Sequence, residues 1–212
     1  MKLTLLAGRF TVGLAILVLA FSAGALSTRA QDTPAAPTDF DPEAAMAAFT
    51  EKVQASKPEI DRLKTLAGKW EAKQKFYFSG PGEAPTEQTS VEVRTMLGEY
   101  WIMGAVDSEM MGMPFQGRSI TGYDIMKQKY VTYWVDTMGP YGMFFEGTYD
   151  EATKTYTYIC EMKDAWTGLD SVYTIIETEQ PDGSTQWSTS QKSAMGELKL
   201  MEAVYTRIGD AE

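Results

Sequence analysis

Three residues in the middle of the chain have the types and the spacing for ligand chemistry: Trp134, Asp136 and Met138. They alternate along an apolar run, and residues two apart in an extended strand share a face. If the side chain of Trp134 points into the protein, the carboxylate of Asp136 does so too. An inward carboxylate requires a partner or a solvated cavity. Arg118 is the nearest candidate partner in the sequence.

The carboxylate of Asp136 has two interpretations, and the sequence leaves both open. In the first, Asp136 is a polar anchor at the mouth of a cavity, where Tyr123 or Tyr133 would help to hold the head group of a ligand. In the second, Asp136 has a structural role and bonds to Arg118 or to the backbone near Gly139, because buried polar groups usually find partners within the protein.

Methionines are concentrated in the same part of the chain, at Met110, Met111, Met113, Met138 and Met143. Their flexible, polarizable side chains suit both a soft lining for an apolar ligand and ordinary core packing. Thioether sulfur also binds Cu(I), and the segment 110–113 could supply several such ligands. Because neither His nor Cys accompanies these methionines, we predict no metal site and no cofactor.

The chain contains no histidine, and its single cysteine is Cys160. The lack of histidine excludes the usual Ser-His-Asp and Cys-His nucleophile systems and the commonest zinc and non-haem iron ligand sets. A lone cysteine forms no internal disulfide, so we expect Cys160 to be buried. Acid–base chemistry would depend on Asp, Glu, Tyr or Lys, and no carboxylate pair has a diagnostic spacing. We therefore predict no catalytic residue, which leaves enzyme activity open but disfavoured.

Short alternating runs separated by turn residues follow one another from Lys69 to the end of the chain, a pattern typical of consecutive antiparallel strands. The dipeptide Tyr-Asp marks two of the turns, at Asp124 and Asp150, where a carboxylate can bond its own backbone two residues on. Ten strands are predicted, at Trp70–Phe78, Thr89–Leu97, Tyr100–Glu109, Phe115–Tyr123, Tyr130–Thr137, Gly142–Tyr149, Thr155–Lys163, Ser171–Glu179, Thr185–Gln191 and Leu198–Ile208. Since a long meander usually closes on itself, the predicted fold class is all-β: an antiparallel up-and-down barrel of about ten strands over residues 68–209.

Two short helices are predicted before the barrel, in residues 41–67. The segment 41–43 has an Asp suited to an N-cap followed by Pro at the first helical position, and the segment 56–59 has the pattern of a capping box. Apolar residues repeat at helical spacing, at Met46, Phe49 and Val53 and again at Ile60, Leu63 and Leu66. We expect both helices to pack on the barrel as a plug or lid.

The first thirty residues have the layout of a secretory signal peptide. Lys2 and Arg9 supply positive charge, the stretch 10–26 is apolar, and small residues allow cleavage after Ala25 or Ala30. A polar, proline-containing linker follows at residues 31–40. Since the apolar stretch is short for a membrane span of about 20 residues, we expect cleavage rather than an uncleaved anchor, and a periplasmic or secreted protein.

The chain is acidic. All 29 acidic residues but only 16 of the 19 basic residues lie beyond residue 30, so a chain cleaved after Ala30 would carry a net charge of −13. Nucleic acids and anionic membranes require a positively charged surface in a partner. We therefore expect neither nucleic-acid binding nor stable membrane insertion after cleavage, and the acidity is typical of a soluble protein. The oligomeric state is left open.

Gly68-Lys69-Trp70 opens the first predicted strand, and Arg207 lies near the end of the last. This arrangement resembles the calycin superfamily of lipocalins and fatty-acid-binding proteins, in which a Gly-x-Trp begins the barrel and an arginine of the final strand stacks on the tryptophan. A guanidinium over an indole face is stabilised by about 0.5–2 kcal/mol. The resemblance implies that Trp70 and Arg207 have a structural role in closing one end of the barrel.

The run from about residue 66 to residue 207 is similar to a bacterial family known only as domain-of-unknown-function family 1579. The similarity lies in GKW at 68–70, FYFSGPGEAPTE at 76–87, EMMGMPFQGRSITGYD at 109–124, YVTYWVDTMG at 130–139, EGTYDEATKT at 146–155 and YTR at 205–207. It implies a lipocalin-like barrel and no established activity.

We predict that the barrel binds a small apolar or amphipathic molecule non-covalently. The expected contact residues lie on or beside the central strands: Met113, Phe115, Arg118, Tyr123, Trp134, Asp136, Met138 and Met143. The alternative is a barrel packed with its own side chains that serves as an envelope structural module or a protein-interaction module, because barrels of this size can be either packed or hollow.

Overall fold

The computed structural model describes residues 40–77, 83–110 and 112–211. This part of the chain forms two helices followed by ten strands. The helices are α1 (Pro42–Ala55) and α2 (Lys57–Lys64). The strands are β1 (Gly68–Phe76), β2 (Thr86–Leu97), β3 (Trp101–Met110), β4 (Met113–Asp124), β5 (Lys129–Asp136), β6 (Gly142–Asp150), β7 (Thr155–Lys163), β8 (Asp170–Glu179), β9 (Thr185–Ser193) and β10 (Gly196–Gly209).

The ten strands form a closed antiparallel barrel in which neighbours in the chain are neighbours in the sheet. β1 closes the barrel by pairing with β10, from Lys69 opposite Gly209 to Phe76 opposite Met201. The predicted all-β, up-and-down barrel with a short N-terminal helical segment is thus confirmed. Strand bounds differ from the predicted ones by a few residues. For example, β2 begins at Thr86, because its first residues pair with the end of β1.

Some predictions concern residues outside the described part of the chain. These are the signal peptide at residues 1–30, the linker except for residue 40, and the side chains of Phe78 and Met111. Neither described helix is long and apolar enough to cross a bilayer.

Asp124 and Asp150 close two turns on the same end of the barrel in the same way. Asp124 Oδ1 accepts a hydrogen bond from the backbone N–H of Met126 at 2.8 Å. Asp150 Oδ1 accepts one from the N–H of Ala152 at 2.9 Å. Each bond reaches two residues along the chain, as expected for an Asp that begins a tight turn. The repeated Tyr-Asp pattern predicted both turns correctly.

α2 packs on the end of the barrel that carries these turns. Leu63 is 1% exposed and Ile60 is also buried. Arg62 donates a hydrogen bond to the Tyr130 hydroxyl at 3.0 Å and forms an ion pair with Glu151 at 2.6 Å. These apolar and polar contacts together make α2 the plug of this end.

α1 does not pack in this way. Asp41 caps its N-terminus by accepting hydrogen bonds from the N–H groups of Glu43 and Ala44. None of the 14 residues of α1, all of them described, is buried, and Met46 and Phe49 expose more than half of their surfaces. The expectation that both helices pack on the barrel is therefore right for α2 and wrong for α1, because the apolar stripe of α1 faces solvent.

Trp70 and Arg207 meet at the plugged end. They lie opposite each other in the β1–β10 ladder, with the guanidinium carbon 5.7 Å from the ring centroid. Arg207 Nη1 donates to the carbonyl of Thr65 at 3.1 Å, and Trp70 Nε1 donates to the carbonyl of Leu66 at 3.0 Å. Gly68 makes room for this contact, because a Cβ there would lie 2.8 Å from the guanidinium carbon. The chain after α2 is thereby fixed to both the first and the last strand.

Aromatic rings form the core between α2 and the barrel interior. Tyr156 is 0% exposed, and its ring centroid lies 5.0 Å from that of Tyr130, 4.5 Å from that of Tyr149 and 5.9 Å from that of Tyr158. Cys160 is buried beside this group, as predicted. The rings around Tyr156 therefore pack at the plugged end of the barrel.

Candidate functional site

The rest of the barrel interior is hollow. A cavity of about 1180 Å³ lies between the strands, which exceeds the usual range of about 300–1,000 Å³ for small-molecule sites. Its lining extends from Leu66, beside α2, to Trp166 and Met195, which are 80% and 69% exposed. We call the α2 end the floor and the open end the mouth. The sequence was compatible with either a packed or a hollow barrel, and the barrel of this protein is hollow.

The wall between floor and mouth is mainly apolar. Phe115, Phe145 and Trp187 contribute aromatic surface. Six methionines also line the cavity: Met110, Met138, Met143, Met162, Met195 and Met201. Since methionine adapts its shape to its neighbours, the wall is both apolar and deformable.

Five of the eight predicted contact residues line the cavity: Phe115, Trp134, Asp136, Met138 and Met143. Phe115 is 7% exposed, and its ring stacks on that of Trp134 at a centroid distance of 6.5 Å. Trp134 lies opposite Met143 in the β5–β6 ladder, so the two side chains share the inner face. Trp134, Asp136 and Met138 were predicted to share a face because alternate residues of a strand do so. All three line the mouth half of the cavity.

The other three predicted residues lie outside the cavity lining. Met113 is 51% exposed at the start of β4. The Arg118 side chain is 46% exposed and forms an outer ion pair with Asp107 at 3.0 Å. Tyr123 lies at the plugged end, where its ring contacts that of Tyr130 at a centroid distance of 5.1 Å.

Asp136 bonds to its own strand and turn. Its Oδ2 accepts a hydrogen bond from Trp134 Nε1 at 2.7 Å, and its Oδ1 accepts one from the N–H of Met138 at 2.8 Å. The bond to Arg118 is not formed, because Arg118 lies opposite Val135 in the β4–β5 ladder and shares the outer face with it. Asp136 therefore bonds to the backbone near Gly139, as in the second of the two interpretations of its role. Its side chain also borders the mouth of the cavity.

Three charged side chains form what we call the floor cluster: Glu92 and Arg94 on β2 and Glu177 on β8. Their side chains are 13%, 12% and 11% exposed. Arg94 Nη2 donates to Glu92 Oε2 at 3.1 Å, while Arg94 Nη1 is 3.7 Å from Glu177 Oε1. The guanidinium carbon also faces the rings of Tyr205, at 5.0 Å, and Trp70, at 5.4 Å.

The buried charges shift one another's pKa values. Burial raises the pKa of Glu177, with Arg94 opposing the shift and Glu92 adding to it. Burial alone would lower the pKa of Arg94, but the carboxylates of Glu92 and Glu177 together raise it. Arg94 therefore remains a cation, whereas the charged form of Glu177 is disfavoured.

Glu177 also has an unused hydrogen-bond acceptor. Its Oε1 is buried and accepts no hydrogen bond from the described residues, since 3.7 Å from Arg94 is beyond hydrogen-bond length. Glu177 as a whole is 8% exposed and lines the cavity. A buried acceptor without a donor is uncommon and costs free energy. Glu177 is thus a polar group of the floor whose acceptor lacks a donor among the described residues.

Sequence reasoning missed the floor cluster for a physical reason. In β2 the apolar residues Val91 and Val93 alternate with Glu92 and Arg94, so hydrophobic alternation favours valines on the inner face. The ladder has the reverse arrangement, with Glu92 directly opposite the buried Trp70. Only the register between β1 and β2 would have revealed this, because a shift of one residue exchanges the two faces.

A side-chain network holds the turn between β7 and β8 at the mouth. Asp164 is 7% exposed and accepts hydrogen bonds from the Tyr173 hydroxyl at 2.6 Å and from the N–H of Thr167 at 2.7 Å. Burial alone would raise the pKa of Asp164, but these hydrogen bonds lower it. The fixed turn exposes the Trp166 ring at the entrance of the cavity.

No group of three or more His, Cys, Asp or Glu side chains among the described residues is placed to hold a metal ion. Met110 and Met113, considered above for Cu(I), lie opposite each other at the end of the β3–β4 ladder. Met110 lines the cavity and Met113 is exposed, and Met111 lies outside the described residues.

A search of curated proteins finds no match to the chain. A model of the family described as "Protein of unknown function (DUF1579)" matches residues 56–207, which include α2 and nearly all of the barrel. This match confirms the similarity that the sequence motifs indicated. The chain belongs to the DUF1579 family of proteins of unknown function.

Proposed function

We propose that the protein binds a small apolar or amphipathic molecule non-covalently inside the barrel. The observation that carries this proposal is the mainly apolar cavity of about 1180 Å³, open at the mouth. Each Å² of apolar ligand surface removed from water contributes roughly 25 cal/mol. The methionines of the wall support the proposal further, because they can adapt to ligands of different shape.

The proposal includes export of the protein. The apolar stretch and small residues of the first thirty positions support a cleaved signal peptide and a periplasmic or secreted location. The net charge of −13 after cleavage at Ala30, from 16 basic and 29 acidic residues, argues against nucleic acids and anionic membranes as partners.

The first test is native mass spectrometry of protein exported by its own signal and purified without detergent. We expect extra native mass that disappears on denaturation, and a denatured chain that begins at Leu26 or Gln31. A bare native mass, together with no binding of added apolar probes, would overturn the ligand proposal. A denatured mass that still contains residue 1 would overturn the cleavage.

Two neighbouring residues of β5 provide a matched pair for a binding test. Trp134 lines the cavity, whereas Tyr133 is 46% exposed on the outer face. With the apolar fluorophore N-phenyl-naphthylamine, Trp134→Ala should weaken binding about tenfold, since removing one large apolar contact is worth about 1.5 kcal/mol or more. Tyr133→Ala should bind like the wild type. Equal affinities in both variants, with folding verified by circular dichroism, would count against the cavity as the site.

A second candidate function is a protein-interaction module, favoured by a row of apolar side chains on the outer surface. Met103, Ile120, Tyr133 and Phe144 lie directly opposite one another across β3–β6, and each is 41–46% exposed. Contiguous exposed apolar surface is typical of contact sites. A second copy of the chain is the partner to test, by light scattering over a range of concentrations. Self-association that Ile120→Lys abolishes would support this function, and a monomer throughout would exclude that partner.

A further inference from the structure

We infer that the ligand carries a protonated amine and that the floor cluster of Glu92, Arg94 and Glu177 receives it. This inference rests on the proposed function, because it takes the cavity to hold an amphipathic molecule. It adds the chemical class of that molecule: a cationic amphiphile whose apolar body lies along the wall of the barrel.

Four acidic residues line the cavity near its mouth. Asp136 and Asp164 are engaged within the protein, whereas Glu83 and Glu197 are exposed to solvent. Asp136 accepts hydrogen bonds from Trp134 and Met138. Asp164 accepts hydrogen bonds from Tyr173 and Thr167. A ligand head group would have to compete with these bonds at Asp136 and Asp164 and with water at the two exposed glutamates. The floor instead holds a buried carboxylate oxygen with no donor among the described residues.

The positive charge of Arg94 is already balanced. Its guanidinium bonds to Glu92 at 3.1 Å, lies within 3.7 Å of Glu177 and faces two aromatic rings. An anionic head group would therefore gain little from Arg94 and would meet the carboxylates of Glu92 and Glu177. The floor thus disfavours a carboxylate ligand even though it contains an arginine.

The cluster as a whole has one more acidic group than basic groups. With both carboxylates ionised, Glu92, Arg94 and Glu177 carry a net charge of −1. Burial disfavours the charged form of Glu177, so a cation beside Oε1 would stabilise that charge. An ammonium group supplies both the missing charge and the missing hydrogen-bond donor. A hydroxyl supplies only the donor, and its hydrogen bond to a carboxylate lacks a second charge.

The distance from floor to mouth suits a single extended chain. On β8, Glu177 lies six positions after Ser171, which is about 20 Å of strand. With a typical barrel tilt of about 40°, this corresponds to a depth of roughly 15 Å. A decyl chain attached to an ammonium group at Glu177 would extend along the methionines and aromatic rings of the wall.

The test compares three ligands that differ only in the head group: decylamine, decanol and decanoate. Each displaces N-phenyl-naphthylamine from the full exported protein at neutral pH, after bound lipids have been removed. We expect decylamine to bind about tenfold more tightly than decanol, as a charge-assisted hydrogen bond replaces a neutral donor, and decanoate to bind most weakly. Equal binding of amine and alcohol, or tightest binding of decanoate, would overturn the inference and leave the proposed function standing. Failure of all three to displace the bound probe would overturn the inference alone, because the probe is itself a small apolar ligand. If the probe does not bind either and the native mass is bare, both are overturned.

Two variants show whether the floor is responsible. Glu177→Gln keeps the shape of the side chain, so decanol affinity should persist while the preference for the amine falls to within about threefold. Glu71→Gln removes a carboxylate on the outer face of β1, where the side chain is 38% exposed, and should keep the full preference. An unchanged preference in Glu177→Gln would overturn the inference. If that variant does not fold, the ranking of the three ligands in the wild type decides.

Discussion

Arg94 is the residue on which the charges of the floor cluster depend. It bonds to Glu92 and approaches Glu177, and all three side chains are at least 87% buried. Without a cation, these carboxylates would lose their compensation for desolvation or would have to be protonated. Arg94 therefore stabilises the floor of the cavity whether or not a ligand is bound.

Replacing Arg94 by Met should lower the free energy of unfolding by about 3–5 kcal/mol, because removing one partner leaves buried charges uncompensated. Arg118→Met is the matched control, since Arg118 pairs with Asp107 on the outer face with both side chains largely exposed. Its loss should be about 1 kcal/mol or less. Urea unfolding at neutral pH measures both values. Similar losses in the two variants would show that the floor cluster contributes no more than a surface pair.

Glu177 makes stability depend on pH in the direction opposite to most carboxylates. Burial raises its pKa above the ordinary value of 4.5, so the folded protein retains a proton where the unfolded chain has released it. Its contribution to stability is therefore present below pH 4.5 and decreases as the pH rises through the folded pKa. The titratable groups near Glu177 are Glu92, Arg94, Tyr156, Tyr158, Glu179 and Tyr205.

Glu177→Gln removes this proton linkage. The free energy of unfolding of the variant minus that of the wild type should therefore increase as the pH is raised from about 4 to about 7. Outer carboxylates such as Asp61 and Glu146 have lowered pKa values, because lysines bond to them, and destabilise both proteins in acid. Their effect cancels in the difference. Urea unfolding at both pH values measures it, and a difference that does not change with pH would contradict the prediction.

At the scale of strands, the sequence predicts correctly which face of a strand points inward when the inward residues are the apolar ones. In β7, Tyr156, Tyr158 and Cys160 alternate with Thr155, Thr157, Ile159 and Glu161, of which all but Ile159 are polar, and all three inner residues are buried. In β2, the inner residues Glu92 and Arg94 are charged, so the same reasoning would choose the wrong face. In a hollow barrel, hydrophobic alternation is a weaker guide to the inner face, because charged side chains can point inward where they have partners or border a cavity.

The register between strands explains the rest of the difference between the predicted and the observed site. Trp134 and Asp136 lie within one strand, and their shared face follows from a period of two. Arg118 lies on another strand, and the β4–β5 register alone decides that it faces outward with Val135. From the residues alone, the partner of Asp136 within its strand was therefore predictable, whereas its partner across strands was not.

Gly147 of β6 tests how tightly neighbouring strands pack at the plugged end. It lies directly opposite Tyr158, and a Cβ there would be 2.8 Å from both the Thr157 carbonyl oxygen and Tyr158 Cγ. The Thr157 carbonyl oxygen belongs to the backbone and cannot move without shifting β7, so Gly147→Ala should cost about 1–3 kcal/mol of stability. Gly209→Ala is the control, because a Cβ at this position meets no atom of the described residues within 4 Å. Equal unfolding free energies in thermal or urea denaturation of the two variants would contradict the prediction.

At the scale of the whole molecule, the family match and the packing define the same unit. The family match begins at residue 56, directly before α2. α2 supplies Leu63 and the chain after it supplies Leu66 to the buried core, whereas α1 supplies no buried residue. The buried core of the barrel and of α2 therefore needs no side chain from α1.

A chain that begins at residue 56 should consequently be about as stable as one that begins at residue 31. We expect their free energies of unfolding to agree within about 0.5 kcal/mol, the usual range for changes at exposed sites. Leu63→Ala in the longer chain should instead cost about 2–5 kcal/mol, because it leaves a cavity beneath the plug. Urea unfolding of the three proteins makes the comparison. If removing α1 costs as much as Leu63→Ala, then α1 stabilises the barrel through contacts other than burial of its own side chains, and the folding unit is larger than the family match.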